Sequence, residues 1–61
     1  MPIVQIEMFE GRTLEQKRAM VKEVTQALVS TVNCPPEAVK IVIREMKKED
    51  LAEAGLLYCD K

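Results

Sequence analysis

The first nine residues are mostly apolar, and the polar residues among them fall on one side of an alternating pattern. Four residues share one side of this pattern: Pro2, Val4, Ile6 and Met8. Gln5 and Glu7 interrupt it on the other side. A period of two is typical of a β-strand, and proline is tolerated at a strand's first residue because it has no N–H to donate. The pattern predicts a strand from Pro2 to Phe9.

A helical period follows. Residues that favour the interior recur three and four positions apart, namely Leu14, Met20, Val21, Val24, Ala27, Leu28, Thr31 and Val32. This spacing predicts an amphipathic helix with one face against a sheet. Thr13 and Gln16 have the spacing of a capping box, which marks the helix start. Asn33 suits a C-terminal cap and Pro35 prevents continuation, so we expect the helix to end near residue 33.

The period of two returns from Val39 to Glu45, which predicts a second strand with Ile41 and Ile43 on one face and Lys40 and Arg44 on the other. Strand, helix and strand make a βαβ unit with parallel strands. A two-stranded sheet with apolar residues on both faces is not stable alone. We therefore expect an α/β fold, one domain over residues 1–61, completed by oligomerisation. After Gly55, the pattern leaves open a short hairpin or a tail that docks on a neighbouring subunit.

Composition narrows the function classes. Nine basic and ten acidic residues give a net charge of −1, which argues against nucleic-acid binding. A ribbon-helix-helix DNA binder also begins with a strand and a helix, but it requires a polar, basic strand and a second helix. No apolar run approaches the roughly 20 residues of a membrane span. With no histidine and two cysteines, Cys34 and Cys59, we expect no metal site, and we expect reduced thiols in a cytoplasmic protein.

Pro2 carries the candidate chemistry. Removal of Met1 exposes a secondary amine at Pro2, whereas with Met1 attached the same nitrogen is an amide. Apolar surroundings and nearby cations such as Arg12 or Lys40 favour the neutral amine and so lower its pKa, which suits a general base. The simpler alternative is that Pro2 only begins the strand.

Several short motifs together resemble the 4-oxalocrotonate tautomerase family. They are the N-terminal proline with its strand Pro2–Ile6, Glu10-Gly11-Arg12, Glu15-Gln16-Lys17 and the late Ile43-x-Glu45-Met46. The resemblance implies βαβ subunits assembled as a homohexamer, a trimer of dimers, with active sites at subunit junctions. It implies proton transfer in a small dienol or 2-oxo acid such as 2-hydroxymuconate, without cofactor or metal, in aromatic catabolism. Pro2 would be the catalytic base and Arg12 would bind the distal carboxylate.

Two positions differ from what the resemblance implies for the substrate pocket. Lys40 replaces an arginine that holds the near carboxylate, and Leu51 replaces a pocket-lining phenylalanine. Arg44, on the same strand face as Lys40, is a candidate to compensate. Glu53 would add a carboxylate to an otherwise apolar pocket. Two alternatives therefore stay open: a hydratase or dehalogenase that activates water with Glu53 or Glu7, and a catalytically inactive oligomeric binding module.

Overall fold

The computed structural model describes residues 1–61 and has the predicted βαβ order. Strand β1 is Ile3–Phe9, helix α1 is Leu14–Val32 and strand β2 is Lys40–Met46. Two short strands follow, β3 at Ala52–Glu53 and β4 at Leu56–Leu57. Single 3₁₀ turns occupy Pro36–Ala38, Lys48–Asp50 and Tyr58–Asp60. The two strand predictions are confirmed to within one residue at each end.

Strands β1 and β2 pair in parallel, from Ile3 opposite Lys40 to Phe9 opposite Met46. The even-numbered residues of β1 are half-buried, and the odd-numbered residues Ile3, Gln5 and Glu7 are exposed. Successive side chains of a strand point to opposite faces, so α1 covers only one face of the sheet. The other face is open, and on it the apolar Ile3 and Val42 are 64% and 40% exposed.

Helix α1 begins and ends as the sequence predicts. The Thr13 N–H donates to Gln16 Oε1 at 2.9 Å, and the Gln16 N–H donates to Thr13 Oγ1 at 3.1 Å, which completes the capping box. Asn33 takes the left-handed conformation at the C-cap, with φ of 62°. The N-terminal cap satisfies the N–H groups of Thr13 and Gln16, which have no acceptor within the helix.

The predicted apolar stripe of α1 is only partly correct. Val21, Val24 and Leu28 are half-buried as expected, but Leu14 and Val32 are 62% and 57% exposed. A helix of this length extends about 28 Å, whereas a seven-residue strand extends about 23 Å. The ends of α1 therefore overhang the sheet, and nothing in the chain covers them.

The C-terminal segment, left open by the sequence, is a hairpin. Ala52 pairs with Leu57 and Glu53 with Leu56 in antiparallel register. Ala54 and Gly55 form the turn with φ of 55° and 79°. Positive φ at both central residues matches the right-handed twist of a tight hairpin. The hairpin forms a separate sheet from β1 and β2.

The isolated chain is too open to contain a core. No residue is buried, and the molecule measures 43 × 25 × 14 Å. Its radius of gyration is 14.7 Å, against about 10.5 Å for a compact chain of this length. Its accessible surface is 4840 Å², against about 4000 Å² for a compact monomer of this mass. The sheet has a helix on one side only, so the core is half formed.

The capping box gives a test of the fold. Thr13→Ala removes the acceptor for the Gln16 N–H, and we expect a loss of about 1 kcal/mol in the free energy of unfolding. Thermal denaturation at one fixed protein concentration measures this as a lower midpoint. Thr13→Ser keeps the hydroxyl and serves as the control. A midpoint equally low for both variants would assign the effect to packing of the Thr13 methyl group instead.

Candidate active site

Pro2 lies directly before β1 and is half-buried. Its carbonyl oxygen accepts a hydrogen bond from the Lys40 N–H at 3.0 Å, which extends the pairing of the two strands by one residue. Met1 precedes it and is 83% exposed. The start of the sheet therefore fixes the Pro2 backbone, while the residue that must be removed to free the amine lies in solvent.

Lys40 and Arg44 share the open face of the sheet, as the strand pattern predicts. Lys40 Nζ donates to the Glu37 carbonyl oxygen at 3.1 Å. Arg44 Nη1 donates to the side-chain oxygen of Gln5 at 3.2 Å. Both partners are neutral acceptors, so neither cation is paired with a carboxylate. Pro2 belongs to the half-buried series on the opposite face, so a single chain does not direct the Lys40 ammonium toward the Pro2 nitrogen.

Arg12 lies at the other end of β1, between Gly11 and the N-cap Thr13. The φ of Gly11 is 123°, a conformation that glycine adopts far more readily than other residues. A cavity of about 170 Å³ opens beside Arg12, with Met8, Gln16, Lys17 and Met20 as its other walls. Two cations line this cavity. Lys17 forms an ion pair with Glu45 at 2.7 Å, whereas Arg12 has no carboxylate partner. Its guanidinium is free to bind an anion.

Leu51 precedes the hairpin and is 38% exposed. Its carbonyl oxygen accepts a hydrogen bond from the Tyr58 N–H at 2.9 Å, which closes the base of the hairpin. The same segment holds Glu53, whose carboxylate is paired with Lys61 at 2.6 Å. Leu51 thus presents an aliphatic surface at the carboxyl end of the sheet, the end where Arg12 also lies.

The five predicted site residues fall into separate places within one chain. Pro2 is at the amino end of the sheet, and Arg12 and Leu51 are beyond its carboxyl end. The seven residue steps from Pro2 to Phe9 span about 23 Å at the usual rise of a strand. Neither the cavity beside Arg12 nor the larger groove of about 540 Å³ along α1 is lined by Pro2. A site that uses Pro2 and Arg12 together requires more than one subunit.

The sequence did not reveal the two neutral groups that accept hydrogen bonds from Lys40 and Arg44. Gln5 is two residues from Ile3, on the sheet face that carries Lys40 and Arg44. Strand alternation could therefore have predicted that Gln5 lies near Arg44. The bond from Lys40 to the Glu37 carbonyl could not be predicted, because the acceptor is a backbone group and does not depend on residue type.

No group of three or more acidic, cysteine or histidine side chains is arranged to hold a metal ion. The structure has no helix whose length and apolar character together would let it cross a membrane.

Comparison with known proteins decides the family. The tautomerase enzyme family matches residues 2–60 of the chain. The chain belongs to the tautomerase family. A probable tautomerase of Halalkalibacterium halodurans is 43% identical over 61 residues, which cover all of both proteins. A probable tautomerase of Streptococcus pneumoniae is 54% identical over 46 residues, covering 75% of this chain and 77% of that protein.

Solved structures place the chain within the tautomerases more narrowly. The crystal structure of YwhB, a homologue of 4-oxalocrotonate tautomerase, superposes with a TM-score of 0.93 at 42% identity and covers 98% of both chains. A heterohexameric 4-oxalocrotonate tautomerase of Chloroflexus aurantiacus gives a TM-score of 0.90 at 25% identity, over 98% of this chain and 97% of that one. The predicted resemblance to 4-oxalocrotonate tautomerase is thereby confirmed. The roles of Pro2, Arg12, Lys40, Arg44 and Leu51 in this chain stay predictions.

Proposed function

We propose that this tautomerase catalyses enol–keto proton transfer in a small 2-hydroxydienoate or 2-oxo acid such as 2-hydroxymuconate. The observation that carries the proposal is Pro2, which follows Met1 in a chain of the tautomerase family and lies half-buried directly before β1. Once Met1 is removed, Pro2 has a secondary amine on a fixed backbone. No cofactor or metal takes part in this reaction.

In the proposed reaction, the neutral Pro2 amine removes the proton of the substrate's enol hydroxyl. The C–O bond becomes a carbonyl as the double bond shifts, and the protonated amine returns the proton to a carbon of the conjugated system. The amine accepts this proton only while it is neutral, and the apolar side chains of Val4 and Ile6, together with cations from a second subunit, would favour the neutral form. Arg12 binds the distal carboxylate, Lys40 with Arg44 binds the near one, and Leu51 forms an apolar wall.

The proposal includes assembly into a homohexamer, a trimer of dimers. The accessible surface that exceeds a compact monomer by roughly 800 Å² and the open sheet face with Ile3 and Val42 support association. Contacts between subunits would also bring the Pro2 of one chain to the Arg12 of another. We place the protein in the cytoplasm, where the free thiols of Cys34 and Cys59 stay reduced.

Two rival functions have less support. Water activation by Glu53, as in a hydratase or dehalogenase, conflicts with the ion pair between that carboxylate and Lys61. Glu7 is exposed on the open sheet face and lines neither cavity. An inactive binding module would bind small carboxylates without turnover, and the first test below separates it from the proposed enzyme.

Pro2→Ala tests the base. With Met1 removed from both proteins, the variant has a primary amine that is not held in a ring, and we expect kcat/KM for ketonisation of 2-hydroxymuconate to fall at least about 100-fold. Ultraviolet absorbance follows the reaction, and intact mass spectrometry verifies removal of Met1. Ile3→Val, a conservative change one residue away, is the control. Equal rates in the native protein and Pro2→Ala would contradict the proposal.

The separation of Pro2 and Arg12 predicts that inactive variants complement each other. Pro2→Ala and Arg12→Ala are each expected to be nearly inactive. When equal amounts are unfolded together and refolded, a site built from two chains regains both native residues in about one case in four, so about a quarter of native activity should return. Each variant refolded alone is the control. No recovery in an assembled mixture would place both residues in one chain.

Lys40→Arg tests the near-carboxylate anchor. A guanidinium binds a carboxylate through two parallel hydrogen bonds, whereas an ammonium acts as a point charge. We expect KM for 2-hydroxymuconate to fall about two- to tenfold, within the strength of one charge-assisted hydrogen bond. Lys48→Arg, in an exposed 3₁₀ turn, is the matched control. An unchanged KM would remove Lys40 from the binding role, and a higher KM would contradict the expected gain from the guanidinium.

A further inference from the structure

We infer that Glu53, Tyr58 and Lys61 form a C-terminal latch that positions the hairpin and, through it, Leu51 in the substrate pocket. The inference rests on the proposed function for the role of Leu51, while the latch itself rests on contacts within the chain. It assigns positioning roles to three residues outside the predicted site. It also gives Glu53 a structural role instead of the catalytic one considered from the sequence.

Each member of the C-terminal latch contacts the other two. Lys61 Nζ lies 2.6 Å from Glu53 Oε1, and the Tyr58 hydroxyl donates to the same oxygen at 3.4 Å. The Lys61 ammonium also lies 4.2 Å from the centre of the Tyr58 ring, which is cation–π geometry. One carboxylate oxygen thus accepts from two donors while the cation contacts both partners.

Tyr58 connects the C-terminal latch to the rest of the molecule. Its ring centre lies 5.5 Å from that of Phe9 at a tilt of 51°, within the range of favourable aromatic pairs. Its N–H donates to the Leu51 carbonyl at 2.9 Å. Tyr58 is the only residue after Met46 that is not exposed. The side chain therefore holds the base of the hairpin against the end of β1.

Within one chain, the hairpin has few other contacts. Each of its strands has two residues, and a hairpin of that size is marginal in water. Leu56 and Leu57 are 45% and 38% exposed, so they bury little apolar surface. The Glu53 and Lys61 side chains are 65% and 35% exposed, so their ion pair is weak alone. Together with the contacts of the Phe9 and Tyr58 rings, this ion pair raises the fraction of molecules in which the hairpin is closed.

The C-terminal latch has a defined consequence for the proposed reaction. Leu51 is joined to Tyr58 by a backbone hydrogen bond, so opening the latch moves the aliphatic wall away from bound substrate. Within the same chain the Pro2 amine lies at the other end of the sheet, and no contact of the C-terminal latch reaches it. Loss of the latch should weaken substrate binding and leave the proton-transfer step intact, which separates a positioning role from a catalytic one.

Steady-state kinetics on the assembled, Met1-free protein test this role. For Lys61→Met and for Glu53→Gln, we expect KM for 2-hydroxymuconate to rise about three- to tenfold with kcat within about twofold of native. Lys61→Arg, which keeps the ion pair and the cation over the ring, should restore native KM. Lys48→Met and Glu49→Gln are the matched controls. A large fall in kcat for Glu53→Gln alone would make Glu53 catalytic and overturn the inference.

Hydrogen exchange tests the C-terminal latch without using activity. We expect the Tyr58 amide to exchange several-fold faster in Lys61→Met, in Glu53→Gln and in Tyr58→Phe, which keeps the ring and loses the hydroxyl, with amides of α1 unchanged. The double variant Glu53→Gln with Lys61→Met should be no faster than either single one. Native exchange at Tyr58 in all variants would overturn the latch. If the native protein lacks tautomerase activity, the proposed function fails and this measurement still decides the latch.

Discussion

The structure depends on one constraint: a two-stranded parallel sheet has a single helix to cover it. Covering one face leaves the other open, and on that face Ile3 and Val42 remain in contact with solvent. The C-terminal segment does not cover it, because β3 and β4 pair with each other in a separate hairpin and Tyr58 packs on Phe9 at the end of β1. The absence of any buried residue, the elongated shape and the scattered site residues all follow from this missing layer.

The two ion pairs of the chain join separate elements of the fold. Lys17 and Glu45 join the first turns of α1 to the end of β2, and Lys61 and Glu53 join the C-terminus to the hairpin. Since these cations are neutralised within the subunit, they are poor candidates for binding a substrate anion. Arg12, Lys40 and Arg44 have no carboxylate partner. Four further exposed cations also lack a carboxylate partner, so charge alone does not identify the residues of the candidate site. Lys40 and Arg44 are distinguished by their position on the open sheet face, and Arg12 by its position beside the cavity.

The sequence predicted the βαβ unit because each element has a local cause: strand alternation, the Thr13 capping box and Asn33 before two prolines. It also predicted that the sheet face would be left open. It did not predict that Leu14 and Val32 overhang the sheet, because this depends on the relative lengths of helix and strand. The hairpin was left open because its turn needs positive φ at Ala54, which residue type does not indicate. Contacts of Glu53 with Tyr58 and Lys61 join residues five and eight apart without any periodic pattern.

The distance of about 23 Å from Pro2 to Phe9 has a consequence for how activity would depend on protein concentration. If Pro2 and Arg12 act from different chains, a dissociated subunit has half a site and no activity, so specific activity falls on dilution. The linkage is reciprocal, because a ligand that binds only the assembled form stabilises that form. A substrate held between two chains then acts as a bridge between them. Such a tautomerase would be most firmly assembled when its substrate is abundant, without any separate regulatory site.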